Sequence, residues 1–333
     1  MQYIVENKID ILYELMNTFY FISNEKELNS SLEKMLIREG INKDEYLNKN
    51  LKNFFGFIKK FKELNSISIE KINMYFKKIY SYEISNYSIA FLLFQNLNIE
   101  ELNEFKEKII KINNEDLQES FLKDILIKLE KLDEEDTLNY INNYDLFINY
   151  LTNNKDLTNE SKWWLTIIFH EPKKYLLELI DIILISINNF KIAFKILQKD
   201  TLKFIKQLNE WSLRDKNFIE SLTGFKVKCS DNVYIYPSMI NFRSVHCMED
   251  VRTLVKRKNK ETIYFGWKFK ELLDNNEIIK REEKILKEKL KCLSDKSKFE
   301  ILKLLKNKPL YGQEIAHKLS LTPATVSYHM NNL

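Results

Sequence analysis

The chain reads as mainly α: a multi-helical N-terminal body, one small β element, and a helical C-terminal end. Three observations predict this class. Only five glycines and four prolines occur in 333 residues, and between Gly56 and Gly224 the sole residue of either kind is Pro172. Strands joined by tight turns normally need glycine or proline at positive or fixed φ, so a stretch this free of both favours helices. Within it, Leu117, Phe121, Ile125 and Leu129 recur every four residues, and Leu122, Leu126 and Leu132 widen the stripe, as on the buried face of a helix. Strand-like alternation begins only near Gly224.

The helical body takes residues 1–222. Asn-Asn pairs at 113, 142, 153, 188 and 275 are candidate helix ends, because asparagine tolerates the left-handed conformation that closes helices. An AT-rich coding sequence would scatter asparagine in the same way, so both readings stand. The apolar stretch Tyr175–Ile187 is interrupted by Glu178 and Asp181 and is shorter than the roughly 20 residues a membrane span needs, which makes it a buried helix. The N-terminus is acidic where a secretory signal would be basic, and no membrane association is expected. Cys229, Cys247 and Cys292 have no regular spacing, which fits a reducing cytoplasm better than a disulfide framework.

The β element takes residues 223–270. Phe225, Val227 and Cys229 alternate, Ser230-Asp231-Asn232 turns, and Val233, Ile235 and Pro237 alternate again, which predicts a hairpin. Glu261 to Phe269 is a third candidate strand. The cluster Arg252, Lys256, Arg257, Lys258 and Lys260 before it reads as a solvated tip, with contact to a nucleic-acid flank as the alternative. Residues 271–293 then form a connecting helix, in which Leu272, Ile279, Leu286 and Leu293 recur every seven residues beside Ile278 and Ile285. That edge can pair with its copy in a dimer or pack on the body.

Charge is concentrated at the end of the chain. Nine lysines face four acids from Leu286 to Leu333, an excess of five in a chain whose net charge is +4. A basic end on a near-neutral body suits binding to nucleic acid, and a solvated lysine-rich face would look similar. Residues 294–333 predict three short helices. Ser294 or Asp295 can cap the first, whose Phe299, Leu302 and Leu305 form a stripe, and Pro309 stops it. The second places Ile315, Ala316 and Leu319 inward. Thr322 caps the third and Pro323 takes its first position, where a missing N–H costs nothing. Val326, Met330 and Leu333 share its inner face, and Ala324, Ser327, Tyr328 and Asn331 its outer one. A helix, a short turn and a second helix with a small polar outer face suit a major groove. Thr322, Thr325 and the first-turn N–H groups can hold a phosphate, Ser327, Tyr328 and Asn331 can reach bases, and Lys306, Lys308 and Lys318 can reach phosphates.

The run from Leu293 to Leu333 resembles the helix-turn-helix core of the ArsR-type winged-helix transcription regulators. The resemblance rests on Leu293-Ser294-Asp295, the Ile301-Leu302 pair, Glu314-Ile315-Ala316, and the Thr-Val-Ser-x-His run from Thr325 to His329. The segment YGQEIA is also similar to PadR-type regulators, which share the winged-helix fold. Upstream, the helical region, the β element and the step Tyr236-Pro237-Ser238 are similar to long ArsR-like proteins with an uncharacterised N-terminal region. The resemblance implies a cytoplasmic, dimeric regulator of double-stranded DNA. Its contacts would come from Lys308, Lys318 and the run Thr322, Pro323, Ala324, Thr325, Ser327, Tyr328, His329 and Asn331. The N-terminal region would sense a small molecule or a protein. A scaffold that docks a protein through the same module, with no base reading, is the alternative.

This chain departs from the family pattern in three places. Tyr311 stands where Ser or Thr commonly caps the second helix. Glu314, Ala316 and His317 stand where metal-sensing members carry Cys-x-Cys, so metal sensing does not transfer. The sequence ends before the β-hairpin wing and the last dimerising helix, which predicts a truncated form of a longer protein.

No catalytic set is apparent. His170, His246, His317 and His329 are scattered, and no glycine-rich phosphate loop, HExxH or CxxC occurs. No enzyme activity, cofactor or metal is expected. His246 and Cys247 with Cys229 form the one conceivable soft-metal group, yet adjacent strand residues point to opposite faces. Trp163, Trp164, Phe169 and Tyr175 are more simply core than ligand pocket.

Overall fold

The structure, a computed structural model, describes residues 2–38, 40–80, 88–93, 102–119, 121, 144–215, 217–223, 232–248, 261–273, 296–307 and 309–331. It divides into two compact units, Met1–Leu272 and Leu273–Leu333. The larger opens with strand β1 (Gln2–Val5), then α1 (Ile11–Ser23), α2 (Glu25–Arg38) and α3 (Lys43–Tyr46), which a π turn at Leu47–Leu51 joins to α4 (Lys52–Leu64). Helices α5 (Ile69–Phe76), α6 (Ile89–Leu93), α7 (Leu102–Lys111), α8 (Tyr144–Asn153), α9 (Asn159–His170) and α10 (Pro172–Phe194) follow. After a 3-10 turn at Lys195–Leu197 come α11 (Gln198–Arg214) and α12 (Phe218–Thr223). Strands β2 (Asn232–Ser238), β3 (Val245–Met248) and β4 (Glu261–Gly266) and helix α13 (Phe269–Leu273) complete the unit. The mainly α class expected from the sequence is the observed one.

Local signals set these helices. Asp10 caps α1 by accepting the Tyr13 N–H at 3.1 Å, and Thr158 caps α9 through the Ser161 N–H at 3.1 Å. Pro172 stands in the first turn of α10. In α4, Phe54, Phe57, Ile58 and Phe61 fall on one face and are buried. Phe57 meets Phe190 of α10 edge-on with ring centroids 5.7 Å apart. Each such ring contributes about 1.5–3 kcal/mol of apolar burial.

The four strands form one sheet in the order β1-β2-β4-β3, with β1, β2 and β4 parallel and β3 antiparallel to β4. Helices cover both faces. Tyr264 stacks on Tyr13 of α1 at 3.6 Å, whereas its neighbour Phe265 packs against Phe204 and Trp211 of α11. Pro237 is tolerated inside β2 because the β1 ladder ends at the Val5–Ile235 pair, so that flank carries no ladder beyond it.

This topology corrects several expectations. Residues 1–222 and 223–270, expected as a helical domain and a β element, both fall in the unit Met1–Leu272. β1 pairs with β2 across the sequence, and one core runs from Tyr3 through Phe190 to Phe265. The strand predicted from Glu261 exists but ends at Gly266 and is parallel to β2, and β1 and β3 were not foreseen as strands. The first arm of the predicted hairpin, with Cys229, and the basic cluster from Arg252 to Lys260 lie outside the described residues. So do Ile125, Leu129, Leu122, Leu126 and Leu132, whereas Leu117 and Phe121 are buried.

The asparagine pairs behave differently from one another. Asn113 caps residues 114–119 through the Asp116 N–H at 2.7 Å, and Asn154 closes the turn after α8 by accepting the Asp156 N–H at 2.9 Å. Asn188 and Asn189 instead lie inside α10, where Asn189 Nδ2 donates to the Leu64 carbonyl at 2.9 Å and satisfies the end of α4. The pairs at 142 and 275 lie outside the described residues, as do residues 274–293 of the predicted connecting helix. No described helix is long and apolar enough to cross a membrane.

Candidate nucleic-acid interface

The smaller unit contains α14 (Lys296–Asn307), α15 (Gly312–Leu319) and α16 (Pro323–Asn331). Its core is Ile301, Ile315, Ala316 and Val326, with Leu304, Leu305, Leu310, Leu319 and Leu321 packed against it. Buried Ala316 keeps α15 slim where α16 crosses it. On α14 Ile301 is buried, and Leu304 and Leu305 pack half-buried beside it; of the expected Phe299, Leu302 and Leu305, only Leu305 joins this face. Phe299 and Leu302 are 43% and 38% exposed. Both triplets obey helical spacing, and docking of α15 selects between them. The Ser294 and Asp295 caps lie outside the described residues.

Tyr311 begins α15 without a side-chain cap of its own. Glu314 compensates, because its carboxylate accepts the Tyr311 N–H at 2.8 Å, which is half of a capping box. At the other end Ser320 takes a left-handed conformation, φ 52° and ψ 40°, and the Leu321 N–H returns to the Ala316 carbonyl at 2.9 Å. This closure turns the chain into α16 within three residues. A residue with a Cβ is strained there, so Ser320→Gly is expected to raise the unfolding free energy of this unit by about 0.5–1 kcal/mol, read by urea titration. An unchanged or lower midpoint contradicts it.

Thr322 caps α16, its Oγ1 accepting the Thr325 N–H at 3.1 Å and lying 2.7 Å from the Thr325 hydroxyl. Pro323 brings no N–H, and the Val326 N–H bonds to the Thr322 carbonyl at 3.0 Å. The Ala324 N–H is therefore the first-turn donor that the described helix leaves for an anion, fewer than the sequence suggested. Thr322, Pro323, Ala324 and Ser327 are exposed, Tyr328 is 66% exposed, Thr325 and His329 are half-buried, and Val326 is buried. Met330 is exposed, not inward as expected, and Leu333 lies outside the described residues. Lys318 is exposed on α15; Lys308 and the Asn331 side chain lie outside the described set.

The family model of the bacterial regulatory proteins of the arsR family matches residues 295–333. This segment is an ArsR-family helix-turn-helix. The ArsR-type domain is the DNA-binding module of transcription regulators, and here it presents the short, polar, capped end of α16. No curated protein and no solved structure matches the chain.

In the larger unit, His246 and Cys247 pair with Tyr264 and Ile263 on β4 and so point to opposite faces; Cys247 is exposed. Burial holds the His246 imidazole below the usual histidine range, and its Nε2 lies 3.1 Å from Ser244 Oγ. Among the described residues no three His, Cys, Asp or Glu side chains are placed to hold a metal. Trp163 is 52% exposed and meets Trp164 edge-on, whereas Phe169 is buried and packs on Phe147.

Proposed function

We propose that the chain is a sequence-specific DNA-binding transcription regulator, a homodimeric ArsR-like repressor whose larger unit receives a ligand or protein signal. The observation that carries the reading is the exposed end of α16, where Thr322, Pro323, Ala324, Ser327 and Tyr328 face solvent; on this reading Thr322 to Thr325 meet a phosphate, and Ser327, Tyr328 and Asn331 meet base edges. Short side chains on that end let the backbone approach the groove, and Asn331 suits an adenine. Two copies reading half-sites one helical turn apart multiply a weak single-helix contact.

One observation favours the other reading, a scaffold that docks a protein. α16 carries no lysine or arginine, and it exposes Tyr328 and Met330. Salt separates the two. With Lys306 and Lys318 from each of two copies at phosphates, log K against log salt is expected to fall with a slope of about −3 to −4 in a fluorescence-anisotropy titration of duplex DNA. A slope near zero supports an apolar protein contact instead.

A further inference from the structure

A cavity of about 40 Å³ opens in the larger unit between α1, α2, α4 and the turn after β2. Its walls include Phe21, Phe54 and Phe242, and its polar groups are asparagine amides, among them Asn17 and Asn241, and the Arg243 guanidinium. Among the described residues no aspartate or glutamate lines it. Asn241 is held by Ser244, whose hydroxyl donates to Oδ1 at 2.6 Å, so its Nδ2 points the other way. That nitrogen is buried beside the Tyr13 hydroxyl and makes no hydrogen bond of good geometry. Arg243 lies over the Phe242 ring at 5.7 Å, and among the described residues no carboxylate pairs with it. A buried amide donor without a well-placed acceptor and a desolvated guanidinium without a counter-ion are both costly unless a ligand supplies them.

We propose that this cavity is a binding site for a small organic acid, with the carboxylate held between Arg243 and the Asn241 amide. Both groups are planar donors that match the two oxygens of a carboxylate better than the tetrahedral oxygens of phosphate. About 40 Å³ has room for a carboxylate group, since one water needs roughly 10–15 Å³. The lining beyond these two groups is mostly apolar, with Leu28 and Phe55 half-buried beside the buried Phe21, Phe54 and Phe242, which favours an apolar or aromatic body. Under the regulator reading such an acid is the effector, but the binding itself does not depend on that reading.

Calorimetric titration of the whole chain tests it without DNA. The probes are acetate, benzoate and phenylacetate, each paired with its neutral amide, together with inorganic phosphate. The aromatic acids are expected to bind and raise the melting temperature, with the amides at least about tenfold weaker. Arg243→Gln should lose at least about tenfold in affinity while melting normally without ligand, and Arg243→Lys should fall between. Amides binding as well as the acids, phosphate binding more tightly than any of them, or no response to any acid would overturn the assignment. If Arg243→Gln fails to fold, the comparison of acid with amide on the unaltered chain decides alone.

Discussion

Glu14→Ala is expected to destabilise the larger unit by about 3–5 kcal/mol, the cost of stranding buried donors and opening a cavity. Glu14 is fully buried on α1, and its Oε2 accepts the Met239 and Ile240 N–H groups at 3.0 and 2.9 Å just beyond β2. It therefore ties the first helix to the end of a strand 225 residues away. Burial dominates its ionisation and pushes the carboxyl up to about 8, against the lowering effect of the Ile240 and Met239 N–H groups.

The sign of the pH dependence follows. Between about 4.5 and 8 the folded chain keeps a proton on Glu14 that the unfolded chain has released. The stabilisation is full at the acid end and is lost as pH rises through that window, by at most about 1.4 kcal/mol per pH unit. Glu14→Gln keeps an acceptor for both N–H groups and cannot ionise. Its urea midpoint should match the unaltered chain near pH 5 and exceed it at pH 9. Parallel pH profiles for the two would contradict a neutral Glu14.

Gly266→Ala is expected to cost about 3 kcal/mol, an overpacking penalty at the upper end of the usual range. A Cβ there would lie 2.6 Å from the Phe242 carbonyl carbon and oxygen and 2.7 Å from the Asn241 carbonyl oxygen. All three are main-chain atoms, so no side chain can swing aside. The two segments are also tied together, since the Gly266 N–H bonds to Ser244 O and the Lys268 N–H to Phe242 O, each at 2.9 Å. A melting temperature lower by roughly 5–10 °C would bear this out; a fall under 2 °C would show that the turn yields easily. The same turn carries Asn241 and Arg243, so the variant should also blunt acid binding.

What could be read from sequence was local. The capped start of α16, the Ile315-Ala316 core and the burial of Val326 follow from residues within a few positions of one another, and they are in place. Tyr311 showed the limit of a motif table: its missing cap is supplied from three residues on by Glu314, which the sequence displays openly. The sheet was not legible in the same way. QYIV is too short to announce a strand, and its parallel pairing with Asn232–Ile235 depends on a chain that returns after more than two hundred residues. Glu14 sits on an apolar face with nothing nearby to explain it, because its partners are the main-chain groups of Met239 and Ile240. Arg243 and Asn241 were passed over for the same reason, since the cavity exists only after α1, α2 and α4 assemble around them. The choice of Ile301 over Phe299 and Leu302 likewise belongs to docking, as both sets satisfy one period.

The central claim is that α16 reads DNA sequence, and selection of bound genomic fragments tests it most directly. The whole chain should be used at low salt beside a Ser327→Ala, Tyr328→Ala, Asn331→Ala variant that melts normally. Enrichment of a palindromic site by the unaltered chain, lost in the variant, is the expected result. Fragments enriched equally by both, or no enrichment by either at low salt, would contradict sequence reading by this helix.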